Sequence, residues 1–125
     1  MYVYDIKIEV TLKLTEDNID DILVTAFEGG INYWADSVEF VGEPLGEYAS
    51  RHLARGGDLR VHDSEENEWH DLKFEDFCRG FRTWLESGGD IYGAISTVNI
   101  DTGEIDADCA DAIIQYSIFG DVIYG

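Results

Sequence analysis

The chain has 125 residues, with 27 acidic against 8 basic side chains for a formal net charge of −19, and a hydrophobic content of 45% that includes three Trp, seven Tyr and six Phe. That length suits one domain spanning 1–125, and that much apolar surface excludes a disordered acidic tail, because its burial offsets the entropy of ordering the chain. A field of this sign repels nucleic acid and anionic membranes and attracts cations or basic protein surfaces, although solubility alone would also account for it.

Tyr2 to Leu14 alternates, with Ile6, Ile8, Val10, Leu12 and Leu14 on one face and Asp5, Lys7, Glu9, Thr11 and Lys13 on the other, which predicts a half-buried strand. Thr15 is placed to cap a helix through Glu28 with Ile19, Ile22, Leu23, Ala26 and Phe27 inward and Asp17, Asp20, Asp21 and Glu28 outward, ended by Gly29 and Gly30. A strand over Ser37 to Val41 closes at Gly42 and Pro44, and a shorter helix fits Leu45 to Ala54 before Gly56 and Gly57. Asp58 to Leu72 reads as a hairpin around the polar turn Asp63-Ser64-Glu65-Glu66-Asn67.

Phe74, Phe77, Cys78, Phe81, Trp84 and Leu85 repeat at the helical period and predict a helix from Phe74 to Glu86, in which Gly80 suggests close packing with a neighbour. Ala94 to Ile100 is β-prone but flanked by Gly93 and Gly103, so a short edge strand and an ordered loop both fit. Asp106 and Asp108 then open a final helix that Gly120 stops. Its apolar residues cover too much of the circumference for a surface helix, so it should be enclosed, with Asp121 to Tyr124 returning as a closing strand. The fold class is therefore α+β: a small, mainly antiparallel sheet packed with three to four helices, the C-terminal helix buried.

Residues 87–125 carry seven acids and no base, and all five arginines lie between positions 47 and 86. Cys78 and Cys109 sit in apolar helical patterns and read as reduced core residues. Residues 1–5 carry no basic leader, and no apolar run approaches the ~18 residues of a spanning helix, so a cytoplasmic protein is expected.

No nucleophile–base pattern or glycine-rich phosphate loop is present, and the Gly pairs at 29, 56 and 88 stand at helix ends that do not suit phosphate. His62 and His70 should lie near each other across the hairpin, followed by Asp63 and Asp71, but without a third close ligand they read as surface residues. The carboxylates from Asp101 to Asp108 lack the register of a calcium loop. No metal or cofactor is assigned.

Arg51 with Arg55, and Arg79 with Arg82, could meet around an anion or be spent on Glu47, Asp58, Glu75 or Asp76. Gln115, an amide in the most apolar helix, must satisfy neighbouring backbone or face a pocket, and a pocket near Trp34, Tyr48, Arg51, Arg55 and Gln115 would suit a nucleotide. The acids Asp17, Asp20, Asp21 and Glu28, then Asp36 and Glu39, then Glu65, Glu66 and Glu68 could instead form patches that stand in for phosphates before a basic partner.

The runs EGGINYW from Glu28 to Trp34, GEYAS from Gly46 to Ser50, RGG from Arg55 to Gly57 and ADAIIQYSIFGDVIYG from Ala110 to Gly125 resemble a group of small acidic proteins of phages and prophages in gut-type Gram-positive bacteria. The resemblance implies a context of inhibitors of host defence, anti-CRISPR and antirestriction proteins among them, and brings no catalytic residues with it. The leading expectation is a non-enzymatic inhibitor in the host cytoplasm that binds a basic, nucleic-acid-binding nuclease without touching nucleic acid itself. A sponge for a nucleotide immune signal in the aromatic and arginine pocket, and an immunity protein against a basic toxin nuclease, stand as alternatives, and the oligomeric state is left open.

Overall fold

The computed structural model describes residues 1–9, 11–89, 95–96 and 99–125. Thr15 opens α1 (Glu16–Thr25) with a reciprocal cap, its hydroxyl accepting from the Asn18 N–H at 3.1 Å while the Asn18 side chain accepts from the Thr15 N–H at 3.0 Å. The helix then loosens into one π-helical turn, Ala26–Gly30. Gly30 there does more than end a helix, because a Cβ on it would stand 2.6 Å from the Ala107 carbonyl of the last helix.

Strand β1 (Ala35–Val41) follows, then α2 (Ala49–Ala54), the hairpin β2 (Asp58–Asp63) and β3 (Glu68–Leu72), and α3 (Phe74–Glu86). Two-residue strands β4 (Ile95–Ser96) and β5 (Asn99–Ile100) pair antiparallel, and α4 (Ala107–Phe119) closes the order. The main sheet is antiparallel in the order β1-β2-β3. Helices cover one of its faces, and α4 is enclosed, with Ala110, Ile113, Ile114, Gln115 and Ser117 buried. Ile22, Leu23, Trp34, Leu53, Leu59, Leu72 and Phe77 join it in one core. Among the described residues no helix is long and apolar enough to cross a membrane.

Several sequence expectations need correction. The alternating stretch from Tyr2 is not a half-buried strand: residues 1–9 have no regular secondary structure and are exposed, Ile6 at 84% and Ile8 at 78%. Alternation positions side chains for a sheet face, but a strand also needs a ladder partner: among the described residues neither edge of β1-β2-β3 takes this segment, and an isolated bridge at Lys13 is as far as its pairing goes. Leu12 and Leu14 alone pack against the core, and Val10 lies outside the described residues. Helix α2 begins at Ala49, not Leu45, because the loop before it is pinned by buried His52, whose Nδ1 accepts from the Leu45 N–H at 3.0 Å while Nε2 faces the Asp58 and Val41 carbonyls at 2.9 and 3.2 Å.

The stretch read as one edge strand or a loop contains the β4–β5 pair, with Ala94, Thr97 and Val98 outside the described residues. Residues 121–124 do not form a closing strand. Cys78 lies on the exposed side of α3 and not in the core.

Helices α3 and α4 meet at Gly80, where an added Cβ would collide with the Ser117 hydroxyl and stand 2.6 Å from its Cα. Gly80→Ala should therefore destabilise the protein by roughly 1–3 kcal/mol through overpacking, although alanine is the better helix former by ~1 kcal/mol. Denaturant unfolding decides it, since a variant as stable as the parent would mean that the two helices separate at no cost.

Candidate functional site

The carboxylates and tyrosines gather at one end of the sheet, where the β2–β3 turn meets the start of β1 and the C-terminal tail. Asp63 ends β2 with its side chain wholly buried. One of its oxygens accepts the Glu65 and Glu66 N–H groups at 2.9 and 3.2 Å, and the other accepts the Tyr124 hydroxyl at 2.7 Å and lies 3.4 Å from His70 Nε2. Burial pushes the Asp63 carboxyl up, but the donors from Tyr124, the turn N–H groups and His70 together hold it below the usual carboxylate range. This Asp-centred turn leaves Glu65, Glu66 and Glu68 exposed at the tip. Their field reaches back to Tyr124, whose phenol is pushed up to about 12 by its hydrogen bond to Asp63, by burial, and by Asp63, Glu66 and Glu65 as charges.

A second buried carboxylate, Asp111 on α4, supports the same end. It accepts from Trp34 Nε1 at 2.8 Å, the Tyr33 hydroxyl at 2.6 Å and Gln115 Nε2 at 2.9 Å. Burial and the Asp111 hydrogen bond push the Tyr33 phenol up to about 12. Gln115 Oε1 in turn accepts the Ile123 and Tyr124 N–H groups, both at 2.8 Å, and its Nε2 donates to the Tyr124 carbonyl at 3.2 Å. One amide thus does for the tail what a neighbouring strand would have done.

The irregularity in the β1–β2 ladder between Ala35 and Ser37 falls at Asp36. Its carboxylate meets His62 Nδ1 at 2.6 Å, and His62 Nε2 faces the Asn67 side-chain oxygen at 3.1 Å. Two oxygens facing the two ring nitrogens favour the doubly protonated imidazolium, and the hydrogen bond to Asp36 holds His62 above its ordinary value while lowering Asp36. The two hairpin histidines do not converge. The register opposes His62 to Trp69 and Val61 to His70, so His62 and His70 belong to opposite faces.

The acids singled out from the sequence separate into two groups. On α1, Arg51 donates to Glu16 at 3.0 Å, Asp17 at 2.8 Å and Asp20 at 3.0 Å, Arg55 donates to Glu16 at 2.8 Å, and Asp21 accepts from the Thr102 hydroxyl at 2.9 Å. That half of the patch is about half neutralised, two arginines against four acids, and by partners other than those expected for these arginines. Glu28, Glu39, Glu65, Glu66 and Glu68 are exposed, with no ion pair among the described residues. Glu39 stands opposite Arg60, which lies over the Trp69 ring at 5.1 Å.

A cleft of about 910 Å³ opens between α1, the π-helical turn, β1 and the start of α2, walled by Val24, Phe27, Ile31, Val38 and Tyr48 and bordered by Asp20, Glu28, Asp36 and Glu47. Of the five residues expected in a ligand pocket, Tyr48, Arg51 and Arg55 line it. Trp34 and Gln115 do not: both are wholly buried around Asp111, Trp34 stacked on Tyr124 at 5.4 Å between ring centres. Asp36 lines the cleft together with Glu28 and also meets His62 at the hairpin end of the sheet. Tyr33, Asp63, Asp111 and Tyr124 were not among the site residues expected from the sequence. The signals were an Asp at the head of a turn and a lone charge inside the most apolar helix. No family model, curated protein or solved structure matches the chain.

Tyr124→Phe removes one donor from a buried carboxylate and should cost about 1–3 kcal/mol at neutral pH. Because Asp63 is lowered in the folded state, its stabilisation is present above the unfolded carboxyl value and lost as pH falls through the folded one. The variant should therefore unfold at a higher pH on acid titration, followed by circular dichroism. For His62, raised in the folded state, the sign is opposite: its contribution is full below the unfolded value of about 6.5 and lost as pH rises through the folded one. An NMR titration should place its midpoint above that value and show it fall in Asp36→Asn, and an unmoved midpoint would mean the pair is not formed in solution.

Proposed function

We propose that this chain is a non-enzymatic inhibitor that binds a basic surface on a nucleic-acid-binding partner, of the kind a host defence nuclease carries, and so keeps nucleic acid away from it. The observation that carries the reading is the acidic end of the sheet. Glu65, Glu66 and Glu68 stand at a turn whose backbone is fixed by Asp63, and Asp36, paired with His62, lies at the same end of the sheet. Carboxylates held on a rigid turn steer a cationic partner, and little backbone entropy is left to lose when it arrives. Exposed Tyr33, about half accessible beside Asp111, adds an aromatic anchor of the type that carries interface energy.

The two arginines of the cleft are already engaged with carboxylates, which weighs against nucleotide capture there. Neutralising a basic toxin nuclease would use the same acidic surface, and the identity of the partner distinguishes that case.

The test compares two charge reversals of equal size. Glu65→Lys with Glu66→Lys changes the hairpin tip, whereas Glu43→Lys with Glu75→Lys makes the same change in net charge near the other end of the sheet, where Asp58 of β2 binds the first N–H of α3. With a partner captured from host lysate, the tip variant should slow association by about tenfold or more, flatten the salt dependence and stop competing with duplex DNA, and the control should do little of this. Equal loss in both variants would reduce the effect to bulk charge and sink the reading.

A further inference from the structure

Among the described residues, strand β1 is an edge of the sheet, hydrogen-bonded only on its β2 side. The cleft lies along that open edge, beneath Val38, with Val24, Phe27 and Tyr48 as its apolar wall. An edge strand beside an apolar trough is a template for one more strand, and folded proteins ordinarily cover or blunt such an edge. The same chain carries a segment that matches it: Tyr2, Tyr4, Ile6 and Ile8 occur at every second position and are 77–88% exposed, with charged side chains at Asp5, Lys7 and Glu9 between them. The Tyr2 and Tyr4 rings stack at 6.4 Å, as i and i+2 side chains of an extended segment do.

We propose that two copies of this chain exchange these arms, each laying residues 2–9 along the free edge of β1 in the other as a fourth strand. The lengths agree: eight arm residues span about 26 Å, and the seven residues of β1 about 23 Å. In that position the tyrosine and isoleucine face continues the layer of half-buried Val38 and Phe40 over the cleft wall, while Lys7 joins the outer face, where Asp36, Ser37 and Glu39 are exposed.

Charge permits this occupant. Residues 1–14 hold two acids and two lysines, so the whole net charge of −19 resides in 15–125. The arm itself, with Asp5, Lys7 and Glu9, is close to neutral and approaches another copy with little repulsion, and Lys7 comes to the outer face beside Asp36 and Glu39. Within one chain the arm runs on the α3 side, where Glu9 acts on Arg82, and the cleft lies between α1, α2 and β1. Each arm would bury on the order of 500 Å² of side chain, so two arms and the edges they cover pass the ~1,000 Å² of a specific interface.

Sedimentation of the full chain across a concentration series tests this with two variants, Ile6→Asp with Ile8→Asp to spoil the arm and Val38→Asp to spoil the edge. The parent should be a dimer, and each variant alone should dissociate at least about tenfold more readily. An equimolar mixture should associate more tightly than either variant alone and less tightly than the parent, because one intact arm and one intact edge restore one of the two exchanged contacts. Exposed Ile6 and Ile8 make no core contact to lose, so the arm variant reports association even if Val38→Asp weakens the fold. A parent that stays monomeric, a dimer that survives the arm change, or arm amides protected from exchange in a monomer would each overturn the proposal, the last by placing the arm on its own chain.

Discussion

A carboxylate and an amide one turn apart on the most apolar helix hold the molecule's ends together. Asp111 takes its three donors from Trp34, Tyr33 and Gln115, and Gln115 uses its remaining capacity on the backbone of the tail. A buried carboxylate without hydrogen-bond partners is costly, whereas three directed donors satisfy this one and fix where each donor must sit. The start of β1, the π-helical turn and the last residues of the chain are placed by that requirement. So is the Tyr124 hydroxyl, which carries the same logic to Asp63 and through it to the backbone of the hairpin turn.

This chain of contacts gives the acidic tip its definition. Surface acids on a flexible loop would average their field over many positions, but here the turn N–H groups are held by a buried side chain and the glutamates leave a fixed backbone. The acids on α1 serve a different purpose. They meet Arg51 and Arg55 across the α1–α2 contact, so their charge goes into holding one helix against another. The uneven charge of the sequence therefore becomes uneven in space, partly paired on one side and unpaired on the other.

Much of this was legible beforehand, for reasons that differ between elements. Helix α3 and the hairpin follow from local signals, the 3.6-residue repeat from Phe74 to Leu85 and the polar turn between two β-prone runs, and the structure places both where periodicity put them. The enclosure of α4 was readable from its apolar circumference, and its stop at left-handed Gly120 from the residue type. The pairings were not readable. Trp34 and Asp111 stand 77 positions apart, and Arg51 and Asp17 34 apart, so no window of sequence shows that Gln115 serves the tail or that the arginines serve α1. The arm was misread for the opposite reason, its local signal being complete and its ladder partner missing from the sheet.

The indole of Trp34 makes the central network visible from outside. It is sealed from solvent, donates to a carboxylate and lies against the Tyr124 ring, whereas Trp69 sits partly in water beneath a guanidinium and Trp84 is held in α3 beside Phe81. The three chromophores thus occupy three dissimilar surroundings, and lifting the tail would alter the light emitted by the first while leaving the neighbours of the other two in place. The protein carries its own optical gauge of whether its last residues are seated.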